Sequence, residues 1–234
     1  MNLRLLTYNI HGCKDVYGCD SEKNLLEIIQ SVDADIVALQ EVERHDKPDL
    51  DFLEKIKALG YTKIIYGKTM RRSDCDYGNL LLIRGERVRA TSRVYVNFSN
   101  EHRGLVLAHF NKGPMRIQVA NTHLGLKASE RKLQAEELIA ALSELSESPP
   151  PQLTILLGDL NEWLPSRAYF QRLCTSFEYK TEVRTFPSRL PIFALDRVFI
   201  RGPLLNVAPL RIGHKHMTTA SDHRPLALEL TTLT

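Results

Sequence analysis

Residues 154–157, Thr-Ile-Leu-Leu, form a short apolar run of the kind that makes a fully buried strand, and the run stops at Gly158. Glycine lets the backbone leave a sheet and turn. Asp159 and Asn161 follow at once, two positions apart. On extended backbone such side chains leave the same face, so a carboxylate and a carboxamide converge at a strand end. Two oxygen-bearing groups aimed together suit a hard cation and a phosphate better than zinc. Taken alone, the string reads equally well as an Asx turn, in which Asp and Asn bond their own backbone. Its weight comes from repetition.

The same plan recurs along the chain. A strand pattern over residues 3–8 delivers Asn9 and His11, the run 36–39 ends by presenting Gln40 and Glu41, and a strand over 116–122 ends at His123. Further strands are expected over 63–66, 80–83, 88–96, 105–110, 197–200, 206–212 and 226–230, with a hairpin turn at Asn111-Lys112-Gly113-Pro114. Helices are expected over 24–31, where Leu25, Ile28 and Ile29 share one side, and over 49–59, stopped by Gly60. Others are expected over 129–145, with Ile139, Leu142 and Leu145 in line, and over 166–174. The prolines at 149–151 read as a tight helix-to-strand connection rather than a linker. A strand-rich chain with one or two helices per half, the halves alike in plan, packs as two sheets face to face with helices outside. That is a four-layer α/β/β/α sandwich of mostly antiparallel sheets. Strand ends from different parts of such a sheet share one rim, where rigid elements hold a site.

At 234 residues, with 43% hydrophobic and 25% charged residues, the chain is an ordinary soluble globular protein. A net charge of +3 permits an anionic substrate without the basic signature of a dedicated nucleic-acid binder. Cys13, Cys19, Cys75 and Cys174 form no C-x-x-C pair, so free thiols in a reducing compartment are expected. No signal-peptide core or membrane-length apolar run is present, so a cytoplasmic protein without stable membrane insertion is expected.

Two further carboxylates flank strands near the C-terminus: Asp196 before Val198-Phe199-Ile200, and Asp222 in Ser221-Asp222-His223-Arg224-Pro225. Each alone reads as a turn or a helix cap. Adjacent residues on a strand point to opposite faces, so His223 is expected to be held by Asp196 while Asp222 faces a metal.

The blocks Thr7-Tyr8-Asn9-Ile10-His11-Gly12, Leu39-Gln40-Glu41-Val42, Asn121-Thr122-His123-Leu124, Gly158-Asp159-Leu160-Asn161, Leu195-Asp196-Arg197-Val198-Phe199 and Ser221-Asp222-His223-Arg224-Pro225 occur in this order over nearly the whole chain. Together they resemble the endonuclease/exonuclease/phosphatase family of metal-dependent phosphohydrolases. Gly78-Asn79-Leu80-Leu81-Leu82, Arg103-Gly104 and Thr185-Phe186-Pro187 are similar to the segments between them. The resemblance implies the same sandwich, as one catalytic domain over residues 1–234. It implies Mg²⁺ (with Mn²⁺ as a substitute) on Glu41, with Asn9 and Asp222 beside it. Asp159 would orient and deprotonate the attacking water, with Asn161 alongside. His123 and His223, the latter oriented by Asp196, would bind the phosphate oxygens. Arg103 and Asn79 are the candidates on the substrate side.

The histidine in the Asn121–Leu124 block is more similar to deoxyribonuclease-I-like nucleases, sphingomyelinases, deadenylases and phosphoinositide phosphatases than to abasic-site repair enzymes. The expected partner is therefore a phosphate ester, a nucleic acid or a small phosphodiester. A phospholipid or inositol-phosphate hydrolase and a catalytically silent adaptor are the alternatives, and oligomeric state is open. The retained site residues favour an enzyme. No accessory substrate-binding domain is expected. Lys68, Arg71 and Arg72 read as a basic loop near Tyr66 and Tyr77, either touching a polyanion or merely solvated. His11, His214 and His216 are loop histidines, and Trp163 is either a pocket wall or core.

Overall fold

The computed structural model describes residues 1–46, 52–95, 101–144 and 149–232. The first half runs β1 (Asn2–Asn9), a 3-10 turn (His11–Cys13), α1 (Glu22–Val32), β2 (Ile36–His45), α2 (Phe52–Lys57), β3 (Lys63–Arg72), β4 (Cys75–Ile83) and β5 (Glu86–Val94). It continues with β6 (Gly104–Lys112), β7 (Met115–His123), α3 (Ala128–Glu144), β8 (Leu153–Asp159), α4 (Ala168–Thr175), β9 (Tyr179–Lys180), β10 (Asp196–Arg201), β11 (Leu204–Pro209) and β12 (Leu226–Thr232). Among the described residues these strands make two six-stranded sheets, ordered β11-β12-β1-β2-β4-β3 and β5-β6-β7-β8-β10-β9. Each is antiparallel except for one central pair, β1 with β2 and β7 with β8.

Period-two alternation sorts the side chains into three apolar layers. Leu3 and Leu5 of β1, Ile36 and Ala38 of β2, Val119 of β7, Leu157 of β8 and Val198 of β10 pack between the sheets. Leu6, Tyr8, Val37 and Leu39 face outward and are covered by Leu25, Ile28 and Ile29 of α1 and by Phe52, Leu53 and Ile56 of α2. On the other outer face Ala120, Leu156 and Phe199 meet Leu138, Leu142, Phe170 and Leu173 of α3 and α4. The result is the expected four-layer sandwich, with helices outside and an apolar core between the sheets.

The same alternation places the polar residues. Carried one step beyond the inter-sheet core, it puts Thr7 and Asn9, Gln40, Asn121 and His123, Asp159 and Asp196 on the inner faces. The parallel pairs bring the C-terminal ends of β1 and β2 to one side, and those of β7 and β8 likewise, with Asn9 opposite Gln40 and His123 opposite Asp159. The antiparallel neighbours start there too, for Asp196 pairs with Asp159 and Leu226 pairs with Thr7. All these residues are therefore at one end of the sandwich, between the sheets.

Some expectations need correcting. The β3–β4 hairpin is longer than its apolar part, so Lys68, Arg71 and Arg72 lie on a strand, not in a basic loop. Arg71 pairs with Asp46 and Asp76, Lys68 with Asp76, and Arg72 with Glu43 and Glu101. Those pairs compensate the charge, and polar alternation on a half-exposed hairpin carries little apolar signal. β2 runs on to His45, past the expected end at Leu39, and β9 was not expected. β11 ends at Pro209 rather than at Ile212. The expected ends at residues 49, 96 and 145 lie outside the described residues. No described helix is long and apolar enough to cross a membrane.

Candidate active site

Two strained backbone positions set the mouth of the site. The β2–β4 register shifts between Leu39 and Val42, and inside that bulge Glu41 adopts a left-handed conformation with φ of 58°. A bulge re-aims a side chain, and non-glycine residues held at positive φ cluster at functional sites. Asn161 is left-handed as well, with φ of 49°. Between them Gly158 passes so close to β7 that a Cβ there would lie 1.9 Å from the Thr122 carbonyl oxygen. Only glycine lets β8 stay paired there while delivering Asp159.

Asp159 is the hub. Its Oδ1 accepts a hydrogen bond from the Asn161 backbone N–H at 2.9 Å, and its Oδ2 accepts one from Asn9 Nδ2 at 3.0 Å. That oxygen also lies 3.5 Å from His123 Nε2 and 3.6 Å from His223 Nε2. The Asn9 amide reaches Glu41 Oε1 too, at 3.0 Å. Asn161 Nδ2 stands 3.1 Å from His123 Nε2 and donates to the Leu124 carbonyl at 3.0 Å. Behind His223, Nδ1 is 2.7 Å from Asp196 Oδ2, as expected. Asp222 sits at the rim, linked by Ser221, whose Oγ donates to the Asn9 carbonyl at 2.7 Å and lies 3.3 Å from Asp222 Oδ1.

Electrostatics separates the two imidazoles. Burial alone would lower the pKa of His223, but the Asp196 and Asp159 carboxylates outweigh it and raise the value to about 10, which favours the imidazolium form. His123 goes the other way, held well below the usual histidine range by burial and then by the Arg103 guanidinium. Geometry agrees: Arg103 places one terminal nitrogen 2.8 Å from His123 Nδ1 and 3.1 Å from Nε2, and a guanidinium, which only donates, opposes a positive charge on this ring. Burial pushes the Asp159 carboxyl up to about 6, with the Asp196 charge adding to this and His223, Asn9 and the Asn161 amide opposing it.

The sequence-predicted residues Asn9, Glu41, His123, Asp159, Asn161, Asp196 and His223 thus form one connected set with Asp222 at its edge. Arg103 is 4% exposed and joins through His123 and Glu101. Asn79 is one step away, donating to the Gly104 carbonyl at 2.8 Å. His11 lies at the rim, its backbone N–H donating to Asn9 Oδ1 and its ring 3.9 Å from Asp222. His214 instead pairs with Glu27 of α1, and His216 lies beside it. Trp163 meets Phe186 and Phe193 edge-on, and Phe186 lies 4.8 Å from the His223 ring, so these aromatics wall one side. Sequence reasoning missed Arg131 and Glu162, a buried ion pair at 3.3 Å that braces the loops after His123 and Asn161. Its signal was a lone charge amid a helix and a turn, which reads as solvated surface.

Two acidic sets compete as places for a cation. Asp159, Asp196 and His223 bring ligand-type atoms within 4.8 Å of one another, but His223 already spends Nδ1 on Asp196 at 2.7 Å. Asp196 Oδ1 is buried without a hydrogen-bond partner among the described residues. Glu41, Asn9 and Asp222 instead offer carboxylate and amide groups where the bulge opens the site, and no thiol. That donor chemistry fits a hard divalent ion, with the Asn9 amide nitrogen kept on Glu41 and Asp159 and its Oδ1 on the rim side, beside the His11 backbone N–H.

Comparison with known proteins agrees with the fold. The chain resembles an endonuclease/exonuclease/phosphatase from Beutenbergia cavernae (TM-score 0.72, 19% identity, covering 99% of this chain and 72% of that one). It also resembles D. rerio TDP2 in complex with a single-strand DNA product (TM-score 0.69, 18% identity, 99% of each chain). A third similar structure is ANGEL2, a 2′,3′-cyclic phosphatase (TM-score 0.75, 16% identity, 98% of this chain and 95% of that one). No curated protein matches the chain. The profile of the Endonuclease/Exonuclease/phosphatase family matches residues 6–223, and the chain belongs to that family of metal-dependent phosphate-ester hydrolases.

Proposed function

We propose that residues 1–234 form one catalytic domain that hydrolyses phosphodiesters with Mg²⁺, or Mn²⁺ in its place, on a nucleic acid or a small phosphodiester. One observation carries the reading: two imidazoles of opposite protonation preference converge on a single buried carboxylate oxygen, 3.5 and 3.6 Å away. A general base, a fixed positive charge and a neutral hydrogen-bonding ring are what an in-line attack on phosphorus requires. Asp159 takes the proton of the attacking water; with its pKa near 6 it is ionised at neutral pH and still basic enough. Asn161 and Asn9 fix its two oxygens. His223, charged and oriented by Asp196, binds a non-bridging oxygen and stabilises the charge that develops there. His123 binds another, with the Arg103 charge behind it, and Asn79 holds the Gly104 backbone next to Arg103. Glu41, Asn9 and Asp222 would hold the divalent ion, which when bound supplies Lewis-acid charge to the phosphate.

The single-strand DNA product held by D. rerio TDP2 and the name of ANGEL2, a 2′,3′-cyclic phosphatase, support a phosphate ester of nucleic-acid type as substrate. The mild positive charge of +3 fits an anionic one. Four free cysteines fit a reducing, cytoplasmic setting. The test is turnover of a chromogenic phosphodiester and the matching monoester with Mg²⁺ or EDTA. Diester hydrolysis should require the metal, and Asp159→Asn should lower kcat about 10²–10⁴-fold. Near-normal turnover in that variant removes Asp159 from the role. Preference for the monoester replaces the diesterase reading with a phosphatase.

A further inference from the structure

We propose that Glu43, His45 and Cys75 form a second cation site, for a zinc-like transition metal, distinct from the hard-ion site around Glu41. Glu43 and His45 are two apart on β2 and so share a face, and Cys75 of β4 is the register partner of His45. A carboxylate oxygen, an imidazole nitrogen and a sulfur lie within 4.8 Å of one another. His45 Nε2 stands 3.7 Å from a Glu43 carboxylate oxygen, Oε2. Metal–ligand bonds of about 2.1 Å at a tetrahedral angle put neighbouring ligands about 3.4 Å apart, so Glu43 and His45 already stand near ligand spacing, with the Cys75 sulfur within 4.8 Å of both.

The groups behind the ligands point the same way. The other ring nitrogen of His45, Nδ1, faces Asp74 Oδ2 at 3.9 Å. A carboxylate behind a metal-binding histidine fixes its tautomer and raises its basicity. The second Glu43 oxygen, Oε1, is held by Arg72 at 3.3 Å, and Arg72 is itself stacked 3.7 Å over Tyr77. That leaves Oε2 turned to His45. Glu43 and His45 line a cavity of about 450 Å³ together with Asp20, Glu22, Lys14 and Lys55, while Cys75 is buried outside that lining. The cavity gives an ion an entry path and room for a water as fourth ligand.

Sulfur and imidazole together select zinc, cobalt or nickel over magnesium. Binding replaces the Cys75 thiol proton, which passes to solvent. The ion would tie β2 to β4 just past the bulge that sets Glu41.

The test uses the full chain stripped of metal and titrated with Co²⁺, then with Zn²⁺ in competition. A thiolate-to-cobalt charge-transfer band in the near ultraviolet is expected, bleached by zinc. This readout ignores cobalt on the oxygen ligands of the Glu41 site. The band should vanish in Cys75→Ser and in the half-exposed variant His45→Ala, and persist in Cys13→Ser. Asp74→Asn should weaken cobalt binding about 10–100-fold. Mg²⁺-supported diester hydrolysis should survive Cys75→Ser, so loss of the band and loss of the active site are separable. Absence of the band in the unaltered protein, or its survival in Cys75→Ser, would overturn the proposal.

Discussion

Asp159 and His223 face each other with both pKa values raised, the carboxyl chiefly by burial and the imidazole chiefly by Asp196. Asp196 adds negative charge beside both, raising the imidazole to about 10 and helping burial raise the carboxyl to about 6. In Asp196→Asn the main charge holding His223 protonated is gone and burial prevails, so the ring becomes neutral near pH 7. Turnover should then fall about 10²-fold or more, and the His223 ring resonances should titrate below pH 7. A ring still charged at pH 8 in that variant would sink the assignment. The linkage has a definite sign. A histidine raised from 6.5 to about 10 contributes stability that is complete below 6.5 and is lost as pH climbs through about 10. The alkaline limb of a pH–stability curve should therefore flatten in the Asp196 variant. At this scale the sequence was readable where a polar residue follows an apolar strand, as at Asn9, His123 and Asp159. It was not readable at Arg103, where an arginine before a strand looks the same whether solvated or, as here, buried against an imidazole.

Elements determine how steadily those residues are held. The loops after β7 and β8 carry His123 and Asn161, and both are gripped from α3. Arg131 donates to the Gly125 carbonyl at 3.1 Å and pairs with Glu162 at 3.3 Å, while Tyr169 of α4 bonds the same carboxylate. Both charged side chains are almost wholly buried, so removing Arg131 leaves Glu162 with Arg167, 3.6 Å from its Oε1, as its remaining cationic neighbour. Arg131→Met should cost about 3–5 kcal/mol by chemical denaturation, with turnover falling as the two loops loosen. Replacing Glu162 as well should recover part of the loss. An unchanged denaturation midpoint in the single variant would show that the pair is not a brace. Gly158→Ala tests the neighbouring strand end: a Cβ 1.9 Å from a backbone oxygen forces β8 from β7, at about 1–3 kcal/mol and with lost activity. A thermal midpoint and turnover equal to those of the parent would contradict it. The existence of these elements was legible from apolar runs and helical spacing. Their lengths were less so, because β2 past the bulge and the β3–β4 hairpin are stabilised by backbone pairing and charge compensation, which leave no apolar period to read.

The whole molecule is a pair of sheets that each supply half of a site, Asn9 and Glu41 from one and His123, Asp159 and Asp196 from the other. An apolar core resists separation but tolerates sliding, so alignment of the halves needs directional contacts. Asn121 of β7 provides them. Its Nδ2 donates across the gap to the Leu39 and Leu80 carbonyls, both at 2.9 Å, and its Oδ1 accepts from Gln40 Nε2 at 2.8 Å. Leu39 and Leu80 are the last pair before the β2–β4 register breaks, so one side chain from the second sheet caps the bulge that aims Glu41. Asparagine before Thr122-His123 carried no mark of this in the sequence, since its partners lie some 40 and 80 residues away. In Asn121→Leu the two carbonyls lose this donor, at about 1–3 kcal/mol for each group left unsatisfied, while the Gln40 amide loses its shortest bond and keeps Thr7 Oγ1 and the Ala38 carbonyl. Buried hydrogen bonds also fix which of several near-equal packings is adopted. The expected outcome is therefore twofold: a lower denaturation midpoint, and a fall in kcat with Mg²⁺ beyond what the folded fraction explains, accompanied by weaker Mg²⁺ activation as Glu41 loses its aim. A variant with the lower midpoint but unaltered kcat and Mg²⁺ dependence would show that Asn121 serves stability alone and that the two sheets find their alignment without it.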